Sequence, residues 1–366
     1  MKLFTRHIIL IWTVLEAALP PTALAQFTPG HVFLSQPSFE MCGHGIPDSI
    51  WEIDPETGEV TLFAELTGAD CGVISGLVVT PDGCGLRVSA ARNNRILEFD
   101  AEGNWTVALD ATDSISYPWG SNNLAYDRNG NFYVVNGGSR TILRFPADGG
   151  PGTVFADAAD GVQGGGPIAI ASDGDLYYAN RYVLRILPNG EASLFDDYGN
   201  RDSPLNLSAD SDGHLYVSLG GGDVLKYVAG DAGSEMLLFS ATDDLFLGVL
   251  APVQGEKSLF AVGKIPPALF RIDTDGGEVT LVAPFPSGVG GLYGIAVVPT
   301  GLGDVNRDGR VGLDDVGSLT TCLAFPAAQP VTPICSRSDL NFDGSVSLRD
   351  FSILQNVFGR VFPNCP

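Results

Sequence analysis

A chain of 366 residues exceeds one ordinary domain, so two or more units are expected. Its 43 acidic against 20 basic residues give a net charge of −23, which excludes attachment to nucleic acid or anionic lipid through a general basic surface. With 45% hydrophobic and 17% charged residues it has enough apolar material for a packed core, and its 46 glycines and 24 prolines suit many short strands better than long helices.

The chain opens with Lys2, Arg6 and His7, then the apolar run 8–15, then Ala23-Leu24-Ala25 before Gln26. That order is a secretory signal over 1–25 with cleavage after Ala25, and the run is too short to span a bilayer. No later stretch reaches about 18 apolar residues. The expected protein has no membrane span and is secreted, periplasmic or held at the cell surface.

From residue 27 a strand pattern recurs: two apolar residues, one charged residue, one apolar residue. It reads Ile50-Trp51-Glu52-Ile53, Ile96-Leu97-Glu98-Phe99, Ile142-Leu143-Arg144-Phe145, Val183-Leu184-Arg185-Ile186, Val224-Leu225-Lys226-Tyr227 and Leu269-Phe270-Arg271-Ile272. Its charged positions lie 41 to 46 residues apart. Turns such as Asn129-Gly130, Asp173-Gly174 and Asp212-Gly213 precede aromatic or β-branched strands, which is a hairpin signal. Another strand precedes each turn and a fourth follows each charged strand, so each repeat predicts a four-stranded propeller blade. The N-terminal part supplies only three strands of a blade, Val32-Phe33-Leu34, 50–53 and 60–63. Ile295-Ala296-Val297-Val298 supplies the missing inner strand, and such a composite blade removes the open sheet edges. The reading is mainly β: a six-bladed β-propeller over 27–300. Asn93-Asn94-Arg95-Ile96-Leu97-Glu98-Phe99, after the Pro81-Asp82-Gly83 turn, resembles NHL-repeat propellers and, more loosely, gluconolactonase-like ones. Such folds host binding modules, hydrolases and lyases alike.

A second unit begins after Gly301-Leu302-Gly303. Two twelve-residue loops, 35 residues apart, place Asp304, Asn306, Asp308 and Asp315, and again Asp339, Asn341, Asp343 and Asp350, at positions 1, 3, 5 and 12. Gly309 and Gly344 stand at position 6, and Arg310 and Ser345 at position 7 contribute their backbone carbonyls. Hard oxygen donors at this spacing suit two calcium ions, with Asp replacing the usual bidentate Glu at position 12. Val316, Leu319 and Leu323 recur as Phe351, Leu354 and Phe358 with helical spacing. The unit, over 303–360, resembles a type I dockerin and so predicts a small α-helical, calcium-binding domain. The resemblance implies a cohesin-like or cell-surface partner. Dockerins often carry small hydroxyl residues at positions 10 and 11, whereas this chain has Leu313-Asp314 and Leu348-Arg349.

Six cysteines in an exported chain allow three disulfides in fifteen connectivities. The spacing and expected faces favour Cys322–Cys335, Cys42–Cys71 and Cys84–Cys365. Candidate chemistry is sparse. His31, His44 and His214 are the mature histidines, and no G-x-S-x-G elbow occurs. Gly164-Gly165-Gly166 reads as a loop spacer. Loops entering the inner strands hold Asp70, Asp113, Asn122, Asn123, Asp202 and Asn206; a gluconolactonase-like metal set would use Asn123 and Asn206, but Pro167 and Gly248 occupy comparable places. Arg92, Arg140, Arg181 and Lys264 are expected on one face, as either a basic rim for a carbohydrate or anionic ligand or a plain solvated rim, and Tyr117, Trp119 and Tyr198 are either stacking surfaces for sugars or ordinary exposed loop aromatics. The preferred reading is an exported recognition or scaffold protein. The alternative is an extracellular hydrolase or lyase acting on polysaccharide at the channel mouth. An acid/base pair or metal set inside the channel favours the enzyme; an apolar, plugged channel favours binding.

Overall fold

The computed structural model describes residues 27–38, 47–199 and 202–299, except 244, 254–255, 265–266 and 290, together with 305, 311–323, 338 and 346–357. The expected signal over 1–25 lies outside the described residues. Among these, the strands form six sheets of four. The first sheet joins Val32–Gln36, Asp48–Ile53 and Val60–Leu66 to Gly294–Val297 from the far end of the repeats. Val32 pairs with Val297 and Leu34 with Ile295, so both ends of the repeat array share one blade as expected. The other five blades each run consecutively in sequence.

The hydrophobic core is divided into six clusters, one at each blade–blade interface. Period-two alternation produces this: in the strand Arg95–Phe99, Ile96 joins the cluster against the third blade, while Leu97 and Phe99 join the cluster against the first. Each strand therefore buries both faces, which explains runs such as Phe132–Asn136, buried at every position. The fourth strands are the exception, and each leaves apolar side chains exposed on the outer edge (Leu62, Val107, Val154, Leu194, Met236 with Leu237, and Leu281).

The recurring charged residue is a tie in most blades, Arg144 being the exception, with its buried Nε unpartnered among the described residues. Glu98 accepts from Arg87 Nε at 2.7 Å, and the Arg87 guanidinium lies 4.7 Å from the Phe132 ring centroid of the next blade. Arg271 pairs with Glu256 at 2.9 Å, Arg185 pairs with Asp175, and Lys226 donates to Thr274 O at 2.9 Å.

Helix α1 (Leu313–Cys322) and helix α2 (Leu348–Val357) form the C-terminal module. Val311 and Val346, at position 8 of the two loops, pack with Leu319 and Leu354, so the sequence duplication becomes one shared apolar cluster. No helix among the described residues is long and apolar enough to cross a membrane. None of the described cysteines, Cys71, Cys84 and Cys322, is a free thiol, and the mates assigned to them lie outside the described residues.

Candidate functional site

The propeller has two faces. The upper one carries the connections entering the inner strands and those joining second to third strands; the lower one carries the Asp-Gly hairpins. The channel between them, about 270 Å³, is walled by inner-strand residues including Leu77, Leu124, Ile168, Leu207, Leu250 and Ile295. Among the described residues the Tyr126 phenol is the one ionisable side chain on that wall.

Asn122 spans the upper mouth. Its Nδ2 donates to Leu250 O at 3.2 Å, its Oδ1 accepts from Ile295 N at 3.2 Å, and its backbone carbonyl accepts from Ile168 N at 2.9 Å. These partners belong to three blades other than its own. Beside it, Ser121 Oγ donates to Leu205 O. The channel wall thus carries mainly apolar side chains, and Asn122 bridges its upper mouth.

The proposed metal asparagines have other work. The strand registers put Asn123 and Asn206 at equivalent inner-strand starts, with Pro167 and Val249, rather than the expected Gly248, in the matching places of their blades. Both asparagines are buried. Asn123 Oδ1 accepts from Ser89 Oγ at 3.0 Å and Asn206 Oδ1 from Leu250 N at 3.0 Å, each tying one blade to its neighbour. An oxygen so engaged inside an interface is a strut between blades. Asp113 accepts from Asp110 N at 3.0 Å, stabilising its own loop. Asp70 is half-buried and Asp202 exposed, and among the described residues neither joins a group of three or more His, Cys, Asp or Glu side chains that could hold a metal ion.

Tyr198 corrects the sequence expectation. It is 2% exposed, and its hydroxyl meets the Tyr227 hydroxyl at 2.9 Å inside the interface of the fourth and fifth blades. Tyr117 and Trp119 do reach the upper face, joined there by Tyr293, which the repeat pattern did not single out. Tyr117 stacks on Trp119 at 6.4 Å between centroids, and Trp119 meets Tyr293 at 5.6 Å. The ridge borders a cleft of about 260 Å³ lined by Trp119, Gly166, Asn180, Leu205, Leu292 and Tyr293.

The loop bearing Tyr117 and Trp119 is pinned from three sides. Tyr117 N donates to Asn94 Oδ1 at 2.7 Å, Gly137 N to Tyr117 O at 3.1 Å, and Ser116 N to Asn136 Oδ1 at 2.5 Å. The three-glycine run is more than a spacer: a Cβ on Gly165 would collide with Trp119 O, and one on Gly120 would meet Gly166 backbone at 2.7 Å. Arg92, Arg140 and Arg181 are exposed on the adjoining connections and make no ion pair among the described residues. Lys264 ends its strand, with its side chain outside the description.

A lower-face cavity of about 510 Å³ gathers Asp210, His214, Lys226, Glu256 and Lys257. These charges are structural: Asp210 accepts from the Asp212 and His214 backbone and from Tyr216 Oη at 2.8 Å, and Lys257 pairs with Asp275 at 3.0 Å.

In the C-terminal module, Asp315 and Asp350 are the described members of the expected calcium sets; Asp304, Asn306, Asp308, Arg310, Asp339, Asn341, Asp343 and Ser345 lie outside the described residues. Both carboxylates are fully buried. Asp315 accepts from Val305 N and Gly312 N at 2.7 Å each, and Asp350 from Ser347 N at 2.7 Å. Position 12 therefore also caps its helix by holding position 9, identically in both halves. Two buried carboxylates at the position where the loop closes fit a divalent cation's oxygen shell. The position-10 leucines point outward, Leu313 78% and Leu348 65% exposed.

No curated protein sequence matches the chain. The fold is similar to a solved nidogen/laminin complex chain (16% identity, TM-score 0.59, 74% of this chain and 98% of that one). It is similar also to streptogramin B lyase (15%, 0.52, 75% and 89%) and to virginiamycin B lyase from Staphylococcus aureus (15%, 0.50, 73% and 89%). At such identities the likeness shows the fold alone. Residues 302–359 match the dockerin type I domain, a family that binds calcium and cohesins, so a C-terminal module of that type follows the six-bladed propeller.

Proposed function

We propose that this chain is an exported recognition or scaffold protein: a signal over 1–25, a propeller over 27–300 that presents its upper face to a ligand, and a dockerin-type module over 303–360 that tethers it. The observation that carries the reading is the Asn122 bridge over a mainly apolar channel, which leaves no acid/base pair on the channel wall among the described residues. Two calcium ions organise the tail, one held by Asp304, Asn306, Asp308, Asp315 and the Arg310 carbonyl, the other by Asp339, Asn341, Asp343, Asp350 and the Ser345 carbonyl. Exposed Leu313 and Leu348 favour an apolar contact with a cohesin-like or cell-surface partner over a hydroxyl-mediated one. Disulfides Cys42–Cys71, Cys84–Cys365 and Cys322–Cys335 would suit an oxidising compartment.

The test uses the full chain. Chelation should remove helical circular dichroism while leaving the β signal, calcium should restore it, and calorimetry should count two sites. Unchanged helicity in chelator refutes the calcium assignment. Turnover of an acidic or neutral polysaccharide would refute the recognition reading in favour of a hydrolase or lyase.

A further inference from the structure

We propose that the Tyr117–Trp119–Tyr293 ridge, flanked by Arg92, Arg140 and Arg181, binds uronic-acid sugars within a polysaccharide. This assignment rests on the recognition reading and specifies its ligand. The chemistry has two parts. A pyranose ring has an apolar C–H face that packs on an aromatic plane, and its carboxylate is met by the planar fork of a guanidinium. The ridge supplies the plane: Tyr117 is 44% exposed, Trp119 and Tyr293 are half-buried, and the rings follow one another at 6.4 and 5.6 Å. A cleft of about 260 Å³ is small for a cofactor and suits one or two sugar rings.

The arginines sit around the same ridge through the backbone. Arg92 lies in the connection whose Asn94 holds Tyr117 N, Arg140 follows the glycines that hold Tyr117 O and Ser116 O, and Arg181 adjoins the cleft residue Asn180. They occupy the same connection in three successive blades. In a chain with more than twice as many acids as bases, three arginines on one rim that make no ion pair among the described residues mark a local anion site.

Backbone strain is concentrated at the same place. All the described non-glycine residues with positive φ (Val73, Asn94, Ser114, Tyr117, Asn122 and Arg140) belong to upper-face connections of the second and third blades. Holding Tyr117 and Arg140 in left-handed conformations costs stability that a plain loop would avoid. The geometry is preorganised, which lowers the ordering cost of binding.

The experiment titrates the full calcium-loaded chain with oligogalacturonate, oligomannuronate and a fully methyl-esterified oligogalacturonate, following tryptophan fluorescence and heat. The expected result is binding of at least one acid form about tenfold or more above the ester, weakening with salt. Arg140→Gln with Arg181→Gln should abolish the preference for acid. Trp119→Ala should weaken binding about tenfold, whereas Trp119→Phe should retain most of it. Equal binding of acid and ester overturns the uronate assignment and leaves the recognition reading intact. No binding by any of the three overturns the site, while calcium-dependent capture by a cohesin remains a separate readout for the tether. Binding that survives both Trp119→Ala and the arginine pair also overturns it.

Discussion

Replacing Asn122 by alanine tests whether the channel mouth is bridged by design. The side chain makes two cross-channel hydrogen bonds, to Leu250 O and from Ile295 N, each 3.2 Å long and partly buried. At about 1 kcal/mol apiece their loss costs roughly 2 kcal/mol. Asn122 also sits at φ +49°, where alanine is disfavoured by about another 1 kcal/mol. The expected destabilisation is about 3 kcal/mol, a fall in melting temperature of roughly 6–12 °C for a domain of this size. Urea titration read by tryptophan fluorescence should show a lower midpoint at unchanged slope. Asn122→Gly separates the contributions: it loses the same bonds but relieves the left-handed backbone, so it should recover about 1 kcal/mol relative to alanine. A change below about 0.5 kcal/mol for alanine would show that Asn122 merely lies over the mouth without joining the blades, and the argument against channel chemistry would lose its footing.

Tyr177 is fully buried and its hydroxyl finds no partner among the described residues, so Tyr177→Phe should stabilise the propeller by about 1 kcal/mol in the same urea assay. Burial pushes the Tyr133 and Tyr177 phenols up to about 12. The fold favours their protonated forms, so that stability is present below about pH 10, the unfolded value, and is lost as pH rises toward 12; phenolate absorbance and unfolding should therefore coincide in alkaline titration. Leu194→Lys, on the outer edge of the fourth blade, should change stability by less than about 0.5 kcal/mol, and a larger loss would place that residue in an interface. Asp315→Ala should abolish one calcium site and lower helical content, while Asp315→Asn should keep part of the helix because the amide oxygen can still accept from Val305 N or Gly312 N.

The blades were legible because a propeller repeats itself. Two-residue alternation, Asp-Gly and Asn-Gly turns and one charged residue per third strand are local signals, and six copies reinforce one another. The paired loops of the tail were legible for a similar reason, since calcium demands oxygen donors at set spacing and a glycine at the turn. Ring closure could also be inferred, because one blade lacked a strand and one strand lacked a blade.

What faces what across the ring was decided by tertiary structure. Tyr198 and Trp119 both occur in loops entering inner strands, yet one turns into an interface and the other outward. Asn122 and Asn123 are adjacent, yet one bridges the channel and the other braces Ser89. Tyr293 reaches Trp119 from the far end of the repeats only because the first blade is built from both ends. Periodicity determines a strand's two sides; which long-range neighbour fills each side depends on how six twisted sheets close around an axis, and that information resides in no single repeat.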